Sequence, residues 1–175
     1  AGKGSLDADL AAQAVVEGSV LGNYVFGGYL TQDKDRKRQV KSPKVYVRDS
    51  GLLHQLLGLP TERALLSHPK LGASWEGFVI EQVLATEPHD EAWFWATHQG
   101  AEIDLLLRRG DRLLGVECKR ADAPRLTPSI RIALEDLELE RVAIVYPGAK
   151  RYRVGERVEA VPAVTLAKPG QLFRE

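Results

Sequence analysis

The stretch from Gly100 to Arg120, GAEIDLLLRRGDRLLGVECKR, sets two acids and a lysine, Asp104, Glu117 and Lys119, among apolar residues. Paired carboxylates suit a hard divalent cation such as Mg²⁺, which takes oxygen ligands from one or two carboxylates plus water and phosphate. Lys119, two residues beyond Glu117, could serve a phosphate or an attacking water. Whether this chemistry is available depends on the strands that carry these residues.

Those strands are read from alternation. Ile103, Leu105 and Leu107 alternate with Glu102, Asp104 and Leu106, and Leu114, Val116 and Cys118 with Leu113, Gly115, Glu117 and Lys119. Period-two alternation predicts two strands with distinct faces. Gly110-Asp111 suits a two-residue hairpin loop, Gly supplying positive φ. If Arg109 and Arg112 close that loop, Asp104 lies opposite Glu117, Glu102 opposite Lys119 and Leu106 opposite Gly115. Opposed side chains share a face. Asp104, Glu117 and Lys119 then fall on one face, and Ile103, Leu105, Leu114, Val116 and Cys118 on the other. At ~5 Å and an effective dielectric of ~20, two facing carboxylates repel by roughly 3 kcal/mol. That repulsion shifts one pKa by about two units unless a cation relieves it. Two alternatives stand beside this reading: a surface hairpin laced with Glu–Lys pairs, and a three-residue loop, Arg109-Gly110-Asp111, that sets Asp104 opposite Val116.

The surrounding elements follow from periodicity and caps. Lys44 to Arg48 (KVYVR) is a candidate strand; Asp49 or Ser50 caps a helix over Leu52 to Leu57, stopped by Gly58 and Pro60. His54 on that helix reads as structural. Gly72 to Glu87 forms a longer helix with Trp75, Phe78, Val79, Val83 and partly Ile80 on its apolar face. Glu76 shares a side with Ile80 and Val83, so it calls either for a salt bridge or for projection toward the acidic face of the sheet. Glu81 reads as solvent-facing. Ala92 to Thr97 is an aromatic strand whose Trp93 and Trp95 share a face and pack in the core; His98 lies in the turn that follows. Thr127 caps a helix with Pro128 at its first position, and Ile130, Ala133, Leu134 and Leu137 line it. Arg141 to Tyr146 is a strand of the kind buried on both faces. Strand, helix, strand at this spacing implies a right-handed parallel crossover. Arg151 to Val154 and Val158 to Val164 read as edge strands, the second limited by Pro162.

Length suits one domain with an appended segment, and 24 basic residues balance 24 acidic ones. Nucleic-acid contact therefore needs a local basic patch. Residues 1 to 40 are poorly assigned, with 41–175 as the domain proper. Gly2-Lys3-Gly4-Ser5 lacks the spacing of a phosphate loop. The basic run from Asp33 to Lys44 offers Arg36, Lys37 and Arg38 either as a solvated loop or as a phosphate-binding strip. Cys118 is the only cysteine, which excludes an intrachain disulfide and a cysteine-based metal site and fits a reducing, cytoplasmic setting. No apolar run is long enough to span a membrane. The lack of methionine, even at position 1, is expected of a processed chain or a fragment of a longer one.

The order helix, three antiparallel strands, crossover helix, parallel strand, with acids on the first helix and the middle strands, resembles the core of the PD-(D/E)XK nuclease superfamily. Asp104 and Glu117-Cys118-Lys119 match its motif, and Glu76 stands where many members carry an acid on the preceding helix. The phrases VKSPKVYVRDSGLLHQLLGL, WEGFVIEQVL, GAEIDLLL, VECKRADAP and VYPG resemble a domain of unknown function at the C-terminus of prokaryotic AAA+-type ATPases. That resemblance covers residues 40 to 165; no ATPase motif, and so no nucleotide site, lies in this chain. It implies a restriction-endonuclease-like α/β fold, a mixed sheet flanked by helices. It also implies DNA phosphodiester hydrolysis with Mg²⁺ or Mn²⁺. Asp104, Glu117 and the Cys118 carbonyl would hold the metal, Glu76 would bind it through water or tune the site, and Lys119 would orient or activate water. An AAA+-type ATPase part is the implied partner. The alternative is a catalytically inactive module of the same fold that docks protein or nucleic acid, since fold does not settle function.

Overall fold

The structure, a computed structural model, describes residues 24–26, 28–29, 45–97 and 99–174. Its elements run β1 (Tyr24–Phe26), β2 (Gly28–Tyr29), β3 (Val45–Val47), α1 (Ser50–Leu56), α2 (Glu62–Leu66), α3 (Leu71–Thr86), β4 (Glu91–Ala96), β5 (Glu102–Arg109) and β6 (Arg112–Cys118). There follow α4 (Pro128–Asp136), β7 (Arg141–Tyr146), β8 (Tyr152–Gly155), β9 (Val158–Pro162) and a 3-10 turn over Ala163–Ala167. The main sheet has the order β2-β4-β5-β6-β7-β9-β8, while β1 and β3 pair separately. β4, β5 and β6 form the expected antiparallel meander, and β6, β7 and β9 run parallel.

Local chemistry accounts for the boundaries. Asp49 caps α1 by accepting from Leu52 N at 2.9 Å, and Thr127 caps α4 by accepting from Ile130 N at 3.3 Å, with Pro128 in the first turn. Two cores sit on opposite faces of the sheet. Val79, Ile80 and Val83 of α3 pack with Leu105, Leu107, Leu114, Val116 and Cys118. Ile130, Ala133 and Leu134 of α4 pack with Leu106, Val142, Ile144 and Trp95.

Three expectations need correction. β9 is no edge strand: it lies between β7 and β8, and Pro162 is its last residue, where a missing amide interrupts little. Phe78 is exposed at 39%, because the buried side of α3 is made by Ser74, Gly77, Val79, Ile80 and Val83. Small residues there admit Tyr46, whose Cδ1 lies 3.3 Å from where a Cβ on Gly77 would stand. Glu81 does not face solvent: Arg48 reaches it from beyond β3 with two N–H bonds at 2.9 and 2.7 Å. Among the described residues, no helix is long and apolar enough to cross a membrane.

Candidate functional site

The turn fixes the hairpin as a two-residue loop. Arg109 pairs with Arg112, Leu107 with Leu114, Leu106 with Gly115 and Leu105 with Val116. The three-residue alternative is thereby excluded; the paired register ends at Leu105 and Val116, one residue short of Asp104 and Glu117.

Strict alternation does not survive past Leu105, however. On the other side of β5, Trp93 pairs with Leu106 and Trp95 with Ile103. One residue of β4, Phe94, thus opposes two of β5, Asp104 and Leu105, which defines a bulge. The bulge turns Ile103 onto the α4 side, where it packs with Leu106 and Trp95 and not, as alternation predicted, with Leu105. It also releases Asp104 into the gap between β5 and β6. Lys119 N donates to Val145 O on β7 at 2.9 Å, so the preceding amide, Cys118 N, faces β5. Asp104 Oδ2 takes that amide at 2.8 Å, and the carboxylate stands where a backbone carbonyl would have continued the ladder.

Glu117 and Lys119 complete this corner. Glu117 is 2% exposed and Asp104 6%. Lys119 Nζ lies 2.6 Å from Glu117 Oε1, with its side chain still 40% exposed. Burial pulls the lysine pKa down, but the Glu117 bond and the charges of Glu117, Asp104 and Glu102 raise it on balance. Lys119 therefore presents an ammonium at neutral pH, suited to orienting an anion or water more than to taking a proton.

Glu76 approaches from α3. Its backbone carbonyl accepts from Cys118 Sγ at 4.0 Å, and its Oε1 accepts from the Tyr46 hydroxyl. Burial, then Glu76 and Asp104, push the Tyr46 phenol far above its ordinary pKa. Asp104 and Glu76 thus act on one hydroxyl from β5 and α3. Glu117, set between Val116 and Cys118 of the α3-side core, alternates instead toward the α4 side of the sheet. Asp104 is the acid that acts on both Tyr46 and Lys119. Sequence reasoning missed Tyr46. Its signal was the Val-Tyr-Val alternation of β3 set against the small residue Gly77. His54, read as structural, holds buried Ser74 through Nε2 at 2.8 Å. Arg36, Lys37, Arg38 and His98 lie outside the described residues.

The donors at this corner are hard oxygens, which fits Mg²⁺ or Mn²⁺ better than a soft metal. Among the described residues no group of three or more His, Cys, Asp or Glu side chains is placed to hold a metal ion. Such a corner suits an ion that keeps much of its shell as water or substrate oxygen, as Mg²⁺ does.

No solved structure matches the chain. It is 48% identical over 136 residues to the uncharacterized protein Mb2031c of Mycobacterium bovis, a match covering 78% of this chain and 31% of the relative. The uncharacterized protein Rv2008c of Mycobacterium tuberculosis matches with the same identity and coverage. The chain therefore spans about a third of the length of these curated relatives. A family model matches residues 71–166, more than half of the chain and all of the corner except Tyr46, and the chain accordingly belongs to the family described as domain of unknown function (DUF4143).

Proposed function

We propose that this chain is a restriction-endonuclease-like domain that hydrolyses DNA phosphodiester bonds with Mg²⁺ or Mn²⁺. The observation that carries the reading is the Lys119 ammonium 2.6 Å from buried Glu117, beside a buried Asp104 carboxylate that accepts from the intervening Cys118 amide at 2.8 Å. Asp104, Glu117 and the Cys118 carbonyl would hold the ion, with Glu76 reaching it through water. Once bound, it would polarise a phosphate oxygen and lower the pKa of a coordinated water. The chain's own residues do the rest. Asp104 is oriented by the Cys118 amide, Glu76 by the Tyr46 hydroxyl, and Lys119 places a positive charge where an incoming phosphate or water would sit. The remaining two thirds of a protein of the relatives' length would supply the AAA+-type ATPase part that acts with this domain in the cytoplasm.

The test is incubation of the chain with single-stranded, duplex and branched DNA in Mg²⁺ or Mn²⁺. Metal-dependent cleavage is expected, and is expected to vanish in the Asp104→Ala/Glu117→Ala double variant. Cleavage no greater than that of the double variant rejects the reading.

The balance of 24 basic and 24 acidic residues favours a second reading, a non-cutting module of the same fold. Calorimetric titration with Mg²⁺ separates the two. Binding abolished by Asp104→Asn supports the enzyme, and no binding at millimolar metal supports the module.

A further inference from the structure

We propose that the loops at the carboxyl ends of β6 and β7 form a phosphate-contacting surface for DNA, carried by Arg120, Arg125 and Lys150. Parallel pairing sets Cys118 beside Val145, so the two strands end together. The chain leaving β6 passes through Arg120 and Arg125, and the chain leaving β7 reaches Lys150; all three side chains are exposed. Two tyrosines tie these loops to each other. The Tyr146 hydroxyl donates to Lys150 O at 2.5 Å and accepts from Lys150 N at 3.3 Å. Its ring meets that of Tyr152 edge-on with centroids 6.0 Å apart, and the Tyr152 hydroxyl donates to Pro124 O at 3.1 Å. The backbones beside Arg125 and Lys150 are thus fixed relative to one another, next to Lys119.

The charges on this rim are handled differently from those at the turn of the hairpin, where Arg108, Arg109 and Arg112 are all paired. Arg48, Arg108, Arg109, Arg112 and Arg151 each pair with a glutamate. Among the described residues, Arg120, Arg125 and Lys150 have no ion pair. In the segment leaving β6, Asp122 is the one acid between Arg120 and Arg125. Exposed cations kept without acids attract an anionic partner. Arginine's fork of donors matches phosphate oxygens, and a polyanion can engage several cations at once. The choice of DNA rests on the nuclease-like reading of the neighbouring acids.

Fluorescence anisotropy with a short labelled duplex, in chelator and between ~50 and ~200 mM salt, tests the surface without requiring metal or cleavage. The Arg120→Ala/Arg125→Ala/Lys150→Ala variant is expected to bind about tenfold or more weakly at low salt. Its slope of log affinity against log salt should be shallower by about two to three, close to 0.9 for each lost contact. Arg120→Lys/Arg125→Lys, which preserves charge, should keep the slope, as should Arg108→Ala at the other end of the hairpin. An unchanged slope in the triple variant, or no DNA binding by the parent chain, overturns the proposal. If the parent chain cuts DNA but the triple variant keeps its slope, only the surface is wrong. If the slope changes as expected but no metal supports cleavage, the surface stands and the nuclease reading falls.

Discussion

The two ends of the β5–β6 hairpin use the same kinds of charged residue in opposite ways. At the turn, Gly110 takes a φ of 59° and its amide donates to Asp90 Oδ2 at 2.7 Å. Arg109 reaches Glu87 at 3.3 Å and the Pro88 carbonyl at 2.9 Å; Arg112 makes two bonds of 2.6 Å to Glu140. Arg108 lies 4.9 Å over the Trp93 ring and 3.3 Å from Glu91. Each arginine there meets an acid on a neighbouring segment, and the turn is fastened to the end of α3, to β4 and to the approach to β7. At the opposite end the ladder stops, a carboxylate fills the gap, buried acids gather around one ammonium, and exposed cations stand without acids. The turn end spends its charges on geometry. The open end has its geometry set by β3, α3 and the parallel strands; Lys119 pairs with Glu117 there, and Arg120, Arg125 and Lys150 stay exposed.

The largest expected effect breaks the turn end. The Glu87 side chain is fully buried; Oε2 pairs with Arg109, and Oε1 accepts from the buried Leu172 amide at 2.8 Å. Glu87→Ala strips both partners at once and should cost about 3 kcal/mol in urea unfolding. Glu87→Gln, which can still accept from Leu172, should cost less. Metal and DNA affinity of the folded Glu87→Ala protein should match the parent. A folded variant that had lost either would show that the two ends are not separate.

At the open end, Asp104 divides into two roles that can be measured separately. Asp104→Ala leaves the Cys118 amide without its acceptor and should cost about 2 kcal/mol. Asp104→Asn keeps an oxygen for that amide and removes a buried charge, so its stability should stay within about 1 kcal/mol of the parent or rise. Both variants should lose Mg²⁺ binding by calorimetry. If Asn destabilised as much as Ala, the charge itself would be part of the scaffold and the contrast with the turn would fail.

How much of this was legible follows from the range of the forces involved. The hairpin register was readable because Gly110-Asp111 and the flanking alternation are local, and so were the caps at Asp49 and Thr127. The bulge was not, because it arises from how β4 meets β5: nothing around Asp104 announces that Phe94 will oppose two residues. Helix α2, capped by Thr61 accepting from Ala64 N at 3.2 Å, is too short to show periodicity. Glu81 and Phe78 were exchanged between surface and interior for one reason. Tyr46 and Arg48 come across from β3, some 30 residues away along the chain, to cover the side of α3 that carries Glu76, Gly77 and Glu81. The acids of the candidate site, Glu76, Asp104 and Glu117, stand out in the sequence by residue type alone; the phenol that bonds Glu76 does not.

The smallest effect tests that phenol. At the open end Glu76 is satisfied by a hydroxyl where the turn end would use an arginine, so the contact can be loosened without stranding a buried cation. Tyr46→Phe removes one hydrogen bond and should cost about 1 kcal/mol at neutral pH. Its alkaline behaviour should differ more clearly. Tyr46's folded pKa lies far above the unfolded value near 10, so the folded chain keeps a proton that the unfolded chain releases. That contribution is complete below about pH 10 and is lost as pH rises beyond it. Urea unfolding from about pH 9 to 11 should therefore fall less steeply in Tyr46→Phe than in the parent. A remaining slope is expected because burial also raises Tyr152. The Glu76→Gln/Tyr46→Phe double variant should show non-additive losses of Mn²⁺ affinity by calorimetry, since each change alone disturbs the same contact. Additive losses with an unaltered alkaline slope would mean that Tyr46 packs against α3 without orienting its carboxylate, and that the open end is held by packing and the β6 amide.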